Sequence, residues 1–156
     1  MPQVLDSCSV ESLATDSKAA FILLVEDNPD DEKLTLRALK QSNIPSEIAI
    51  ARDGEEAVRM LFEHELPEWR LPDLVLLDLK LPKVGGLEIL QRMRRDDRTK
   101  SVPIVVLTSS DEERDIMMSY NLGANSYIRK PVDYTQFIET VKLLGQYWLS
   151  ANRKPL

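Results

Sequence analysis

The stretch "DLVLLDLKLPKVGG", residues 73–86, decides how this chain folds and raises the question of what it does. Four apolar residues, 74–77, lie between two aspartates, and the run ends in a loop of Pro and Gly. A short apolar run bounded by turn residues reads as a strand buried on both faces. A carboxylate in such a strand is costly unless something nearby wants its charge. Asp78 is therefore the residue to explain.

Working outward, two further runs read as buried strands, "FILLV" 21–25 and "VPIVVLT" 102–108, and two as shorter ones, "EIAIA" 47–51 and "SYIRK" 126–130. Each is followed by a helical pattern. "PDDEKLTLRALKQS" 29–42 has helical spacing through Leu34, Ala38 and Leu39, with acids first and bases later. "GEEAVRMLFEH" 54–64 follows Asp53, a natural N-cap. "GLEILQRMRR" 86–95 and "DEERDIMMSYNL" 111–122 come next, the latter ended by Gly123, and a last helix runs from Asp133 to about Ser150.

Five strands alternating with helices predict an α/β fold, a doubly wound five-stranded parallel sheet, because parallel strands need crossover connections. Order 2-1-3-4-5 puts the three most apolar strands in the centre. It also places a topological switch point between the first and third strands, where ligands sit beyond the carboxyl ends. Residues 1–19, rich in Ser, Asp and Thr without a sustained period, are expected to be a flexible N-terminal tail. Residues 20–150 form the expected domain, and 151–156 a short C-terminal tail.

Composition narrows the function. In 156 residues, 20 Lys and Arg against 26 Asp and Glu give a net charge of −6, which argues against nucleic acid as a partner. The basic cluster "RMRRDDRTK", 92–100, is broken by Asp96 and Asp97 and reads as a solvated helix end. Cys8 is the only cysteine and His64 the only histidine, so neither an intrachain disulfide nor a His-rich metal site can form. Both suit a reducing cytosol, and a cytoplasmic location is expected. The longest apolar run, "AAFILLV" 19–25, is too short to span a bilayer, and no signal-peptide pattern opens the chain; no membrane partner is expected.

At the carboxyl ends of the strands stand Glu26 and Asp27 (first), Asp78 (third), Thr108 (fourth) and Lys130 (fifth). A strand-end Asp is most often a turn former or cap, and Thr108 or Lys130 alone would be ordinary. Their joint placement carries the case. Two like charges 4 Å apart repel by about 4 kcal/mol at an effective dielectric of about 20. Lys130 can offset one carboxylate. A hard divalent cation such as Mg²⁺ would settle the others, keeping positions for waters or phosphate oxygens. Protonation of one acid is the alternative relief. The cation is preferred, because Lys130 and Thr108 then stand ready to receive an anion beside it.

In acid-pair, strand-end Asp, strand-end Thr and Lys-Pro order, residues 21–145 resemble the receiver domain of two-component response regulators, whose fold is flavodoxin-like. The resemblance implies that Asp78 is the phosphoacceptor for a histidine kinase's phosphohistidine. It implies Mg²⁺ held by Asp27, by Glu26 directly or through water, by Asp78 and by the backbone carbonyl of Lys80. It implies that Lys130 and Thr108 bind the phosphoryl oxygens, that Tyr127 swings inward as a switch, and that the Lys130–Pro131 peptide is cis. Such a protein catalyses only its own phosphorylation and dephosphorylation.

Two details depart from the family pattern. The acid pair is Glu-Asp rather than Asp-Asp, and Gly85 stands where the family usually has Asp, leaving Gly86 to make the turn. "SYNLGANSYIRKPVDYTQF" with "LKLPKVGGLEIL" is especially similar to small receivers that pair with bacterial and cyanobacterial phytochromes. That likeness implies a light-sensing histidine kinase as partner and a homodimer.

With only one helix after Lys130, the receiver is expected to stand alone and act by protein contacts. Phe137, Val141, Leu144 and Trp148 make a stripe toward the core. Tyr134, Ile138, Leu143 and Tyr147 lie partly off it, favouring self-association through the fourth helix, fifth strand and last helix. Three other readings compete. A pseudo-receiver binding module would lack Asp, Thr or Lys, and none is lacking. An aspartyl-phosphate hydrolase would have a second Asp where Lys80 stands, and a flavodoxin-like cofactor carrier would have a phosphate loop after "FILLV".

Overall fold

The computed structural model describes residues 19–63, 65–66 and 70–153; of the expected tails at 1–19 and 151–156, residues 1–18 and 154–156 lie outside them, as does His64. Five parallel strands, β1 (Ala20–Val25), β2 (Ser46–Ala51), β3 (Leu74–Leu77), β4 (Ile104–Thr108) and β5 (Ser126–Arg129), form one sheet. The order is β2-β1-β3-β4-β5. The expected topology and its switch point between β1 and β3 are present. Register pairs Val25 with Leu77 and Thr108 with Arg129, so the strands end almost level at the carboxyl edge.

The helices are α1 (Pro29–Gln41), α2 (Gly54–Phe62), α3 (Gly86–Arg95), α4 (Glu113–Asn121) and α5 (Tyr134–Gln146), the last running into a π-helical turn, Tyr147–Ala151. Alternation along the strands splits the core in two. Leu23, Val25, Val75, Leu77, Ile104 and Val106 pack with Leu61, Ile89 and Met93 of α2 and α3. Ile22, Leu24, Leu74, Leu76, Val105 and Leu107 pack with Leu39 of α1 and Phe137 and Val141 of α5.

Local chemistry sets the helix starts. Asn28 caps α1 by accepting from the N–H groups of Asp30 and Asp31, and Pro29 sits where its missing N–H costs nothing. Asp53 and Asp133 cap α2 and α5 in the same way. Gly123, at φ 103, takes the left-handed conformation beyond α4, as its placement in the sequence suggests.

Three expectations need correction. The fourth helix starts at Glu113 rather than 111, because Ser110 Oγ accepts the Glu112 N–H (3.3 Å) and Glu112 stays extended. Ile138 is buried among α1 and α5 residues rather than lying off the core stripe, since it follows Phe137 on a helix packed closely against α1. No cis peptide occurs among the described residues, so Lys130–Pro131 is trans, the isomer X–Pro bonds favour by roughly 0.5–1 kcal/mol.

Candidate functional site

Asp78 is the first residue beyond β3. Its N–H still donates to Val25 O (3.1 Å), so the β1–β3 ladder fixes its backbone. The loop beyond folds back tightly: Gly86 N–H donates to Leu79 O (3.1 Å), and a Cβ on Gly86 would lie 2.4 Å from Asp78 O. Gly86 therefore lets α3 abut the strand end. Gly85 faces open space, so the departure from the family's Asp at that position leaves the packing untouched.

The Asp78 carboxylate is buried and held at both oxygens. Oδ1 accepts from Thr108 Oγ1 (2.7 Å) and from the Lys80 N–H (3.1 Å). Oδ2 accepts from Lys130 Nζ at 3.0 Å. Lys130 itself follows β5, placed by its N–H bond to Thr108 O (2.7 Å). Its buried ammonium also reaches Glu26 Oε1 (2.8 Å) and Asp31 Oδ2 (2.8 Å). All three of its N–H donors thus point at carboxylates.

Glu26 is buried at 2% exposure, while Asp27 faces solvent. Glu26, Asp27 and Asp78 each offer one oxygen, and these oxygens lie within 4.8 Å of one another. That spacing and donor type fit a hard divalent cation reached from the solvent side. Electrostatics shows the strain of the bare cluster. Burial pushes the Glu26 carboxyl up from 4.5 to about 7, against the hydrogen bond and charge of Lys130, and the Asp78 charge adds to the rise. Burial works against the Lys130 ammonium, yet its bonds to Asp31 and Glu26 and the charge of Asp78 outweigh that and hold its pKa above the ordinary lysine value.

Glu26, Asp27, Asp78, Thr108 and Lys130 therefore meet as the sequence suggests. Tyr127 stands slightly apart: it is half-buried and its hydroxyl donates to Ser110 O (2.7 Å), two residues beyond Thr108. The Lys80 side chain points away, 3.8 Å from Asp115. Two features escaped the sequence reading. Asp31 reads there as one of several first-turn acids suited to a helix dipole. Buried Asp115 accepts from Ser110 Oγ (2.6 Å) and ties α4 to the loop after β4. The SS pair after Thr108 was the one signal for the second; for Asp31, only the doubled Asp in "NPDD" hinted at it.

Comparison with known proteins agrees with this geometry. The model of the response regulator receiver domain matches residues 22–142. Probable methanogenesis regulatory protein FilR2 of Methanothrix harundinacea is 41% identical over 135 residues, 86% of this chain and 87% of that one. The crystal structure of the phosphorylated cyanobacterial phytochrome response regulator RcpA superimposes with a TM-score of 0.84 at 41% identity, covering 89% of this chain and all (100%) of that one. Response regulator Rcp1 of Synechocystis sp. is 38% identical over 86% of this chain and 92% of its own length. Its Mn²⁺-bound form superimposes with a TM-score of 0.79, covering 88% of this chain and 99% of that one. With the family model matching residues 22–142 and relatives of 38–41% identity aligned over most of both chains, the chain belongs to the response regulator receiver domain family.

Proposed function

We propose that this protein accepts a phosphoryl group on Asp78 from the phosphohistidine of a histidine kinase and signals through protein contacts. The observation that carries this reading is one carboxylate locked at both oxygens, by Thr108 and Lys80 on one and Lys130 on the other, beside an acidic trio spaced for a cation. Phosphoryl transfer asks a protein mainly for in-line positioning and charge neutralisation.

Asp27, Glu26, Asp78 and the backbone carbonyl of Lys80 are the groups that would hold Mg²⁺. When bound, it supplies positive charge to the equatorial phosphoryl oxygens. An Asp78 oxygen attacks phosphorus as the P–N bond breaks and the electron pair leaves with the imidazole nitrogen. Lys130 moves one N–H bond from Asp78 Oδ2 to a phosphoryl oxygen, and Thr108 moves its hydroxyl bond from Oδ1 to another. Thr108 then draws on the loop that carries Ser110, whose carbonyl accepts from Tyr127, and the aromatic ring shifts with it.

Similarity to RcpA and Rcp1 supports a phytochrome-type, light-sensing histidine kinase as the partner. The net charge of −6 supports protein rather than nucleic acid as the output contact, and the single cysteine suits the reducing cytoplasm. Among the described residues no helix is long and apolar enough to cross a membrane. Exposed Met117, Met118 and Tyr120 on α4, with Leu143 of α5 and Tyr147 beyond it, support a homodimer through α4, β5 and α5. Sedimentation with and without phosphodonor tests this; a monomer at every concentration in both states excludes it.

Incubation with a small phosphodonor and Mg²⁺, then intact mass and peptide mapping, tests the main reading. A single added phosphoryl on Asp78 is expected, lost in Asp78→Asn and on chelation. Labelling elsewhere, or none with any donor or kinase, overturns it.

A further inference from the structure

We propose that Asp31 is a positioning residue for this chemistry: it holds the Lys130 ammonium in the unphosphorylated protein and competes with the incoming phosphoryl group for it. This rests on Asp78 being the phosphoacceptor. Lys130 has three donors, and in this structure Glu26, Asp31 and Asp78 take them at 2.8, 2.8 and 3.0 Å. A phosphoryl oxygen on Asp78 needs a share of the same ammonium.

The three acceptors differ in what else can satisfy them. Glu26 and Asp78 belong to the trio spaced for a cation, and Asp31 does not. The second oxygen of Glu26 also accepts the Asn28 N–H (3.2 Å). Lys130 is the basic partner of the Asp31 carboxylate among the described residues. When a cation occupies the trio, the negative charge of Asp31 still falls on Lys130, and the lysine's pull on the phosphoryl group is divided.

The placement of Asp31 is set by the chain, not by chance contact. Asn28 Oδ1 accepts from the backbone N–H groups of both Asp30 (2.9 Å) and Asp31 (3.1 Å), which fixes the first turn of α1 at the strand ends. Side chains there lean back toward the helix N-terminus, and Asp31 reaches Lys130 while Asp30 stays exposed. Without Asp31, the buried ammonium keeps Glu26 as an anchor, so its location is retained and the competition is relieved.

The test is the affinity for beryllofluoride, a non-covalent phosphoryl mimic, in Mg²⁺, followed by ¹⁹F NMR and calorimetry, with thermal melts to confirm folding. Asp31→Asn is isosteric and removes the charge; Asp31→Ala removes the side chain; Asp30→Asn removes the same charge from the same helix turn without touching Lys130. Both Asp31 variants should lower the half-saturating concentration by about three- to tenfold, a usual coupling for residues in one charge network, and Asp30→Asn should leave it unchanged. An unchanged or raised midpoint in Asp31→Asn, or an equal shift in Asp30→Asn, overturns the proposal. If the wild-type protein takes up no beryllofluoride, the phosphoacceptor reading fails and this inference with it; uptake by wild type without the Asp31 effect sinks only the latter.

Discussion

The two edges of the sheet use the same residue types to opposite ends. At the amino edge the charged groups are satisfied by hydrogen bonds. Arg94 bonds the carbonyls of Gly123 (2.9 Å), Lys100 (3.0 Å) and Val102 (2.8 Å) and Oδ1 of Asn125 (2.9 Å). Asp73 accepts the Phe21 N–H at 2.7 Å and lies 3.8 Å from Arg70. At the carboxyl edge Glu26, Asp31 and Asp78 share one ammonium, and Asp27 joins them from the solvent side. An edge whose charged groups are all bonded holds the fold together. An edge with surplus negative charge is built to receive something else.

The sharpest contrast comes from Asp78→Asn. Phosphoryl uptake, read by intact mass, should vanish, while the melting temperature stays level or rises because one repelling charge is gone. A fall of several degrees would mean that the carboxyl edge is structural too. At the other edge, Arg94→Ala should leave uptake intact and lower stability by about 2–3 kcal/mol in urea denaturation, since several carbonyls lose a charged donor. Loss of uptake with unchanged stability would erase the distinction.

Metal-free protein allows a third test. Folding raises the Glu26 pKa from 4.5 to about 7, so between those values the folded state holds more protons than the unfolded one. Its contribution to stability is therefore full below about pH 4.5 and lost as pH rises through about 7. In chelator, the stability of wild type relative to Glu26→Gln should fall across that window. A constant difference contradicts the surplus-charge picture. The smallest effect belongs to Tyr127→Phe, which forfeits the bond to Ser110 O: about 0.5–1.5 kcal/mol of stability by urea denaturation, with uptake on Asp78 retained.

Most of the carboxyl edge was legible in the sequence because strand ends are legible. Apolar runs stop where Glu26, Asp78 and Thr108 begin, Lys130 closes the short fifth strand, and a parallel sheet brings such stops to one side. The helix cap at Asp53 could be read for a similar reason: a single side chain and its nearest N–H groups decide it. Asp31 could not be read this way. Asp30 and Asp31 are equivalent on paper, and only the lean of the first turn of α1 over the strand ends separates them. Ile138 depends likewise on how closely α5 packs against α1, and the Ser110–Asp115 bond on how the loop after β4 folds back. Contacts between elements, rather than within them, set each of these.

Calorimetric titration of Mg²⁺ into the metal-free protein examines the surplus at the carboxyl edge most directly. One ion per chain should bind and raise the melting temperature, with binding lost or strongly weakened in Asp27→Asn and Asp78→Asn and unchanged in Asp73→Asn. No binding, or binding indifferent to Asp27 and Asp78, would contradict the assignment of this edge as a cation-dependent phosphoryl site.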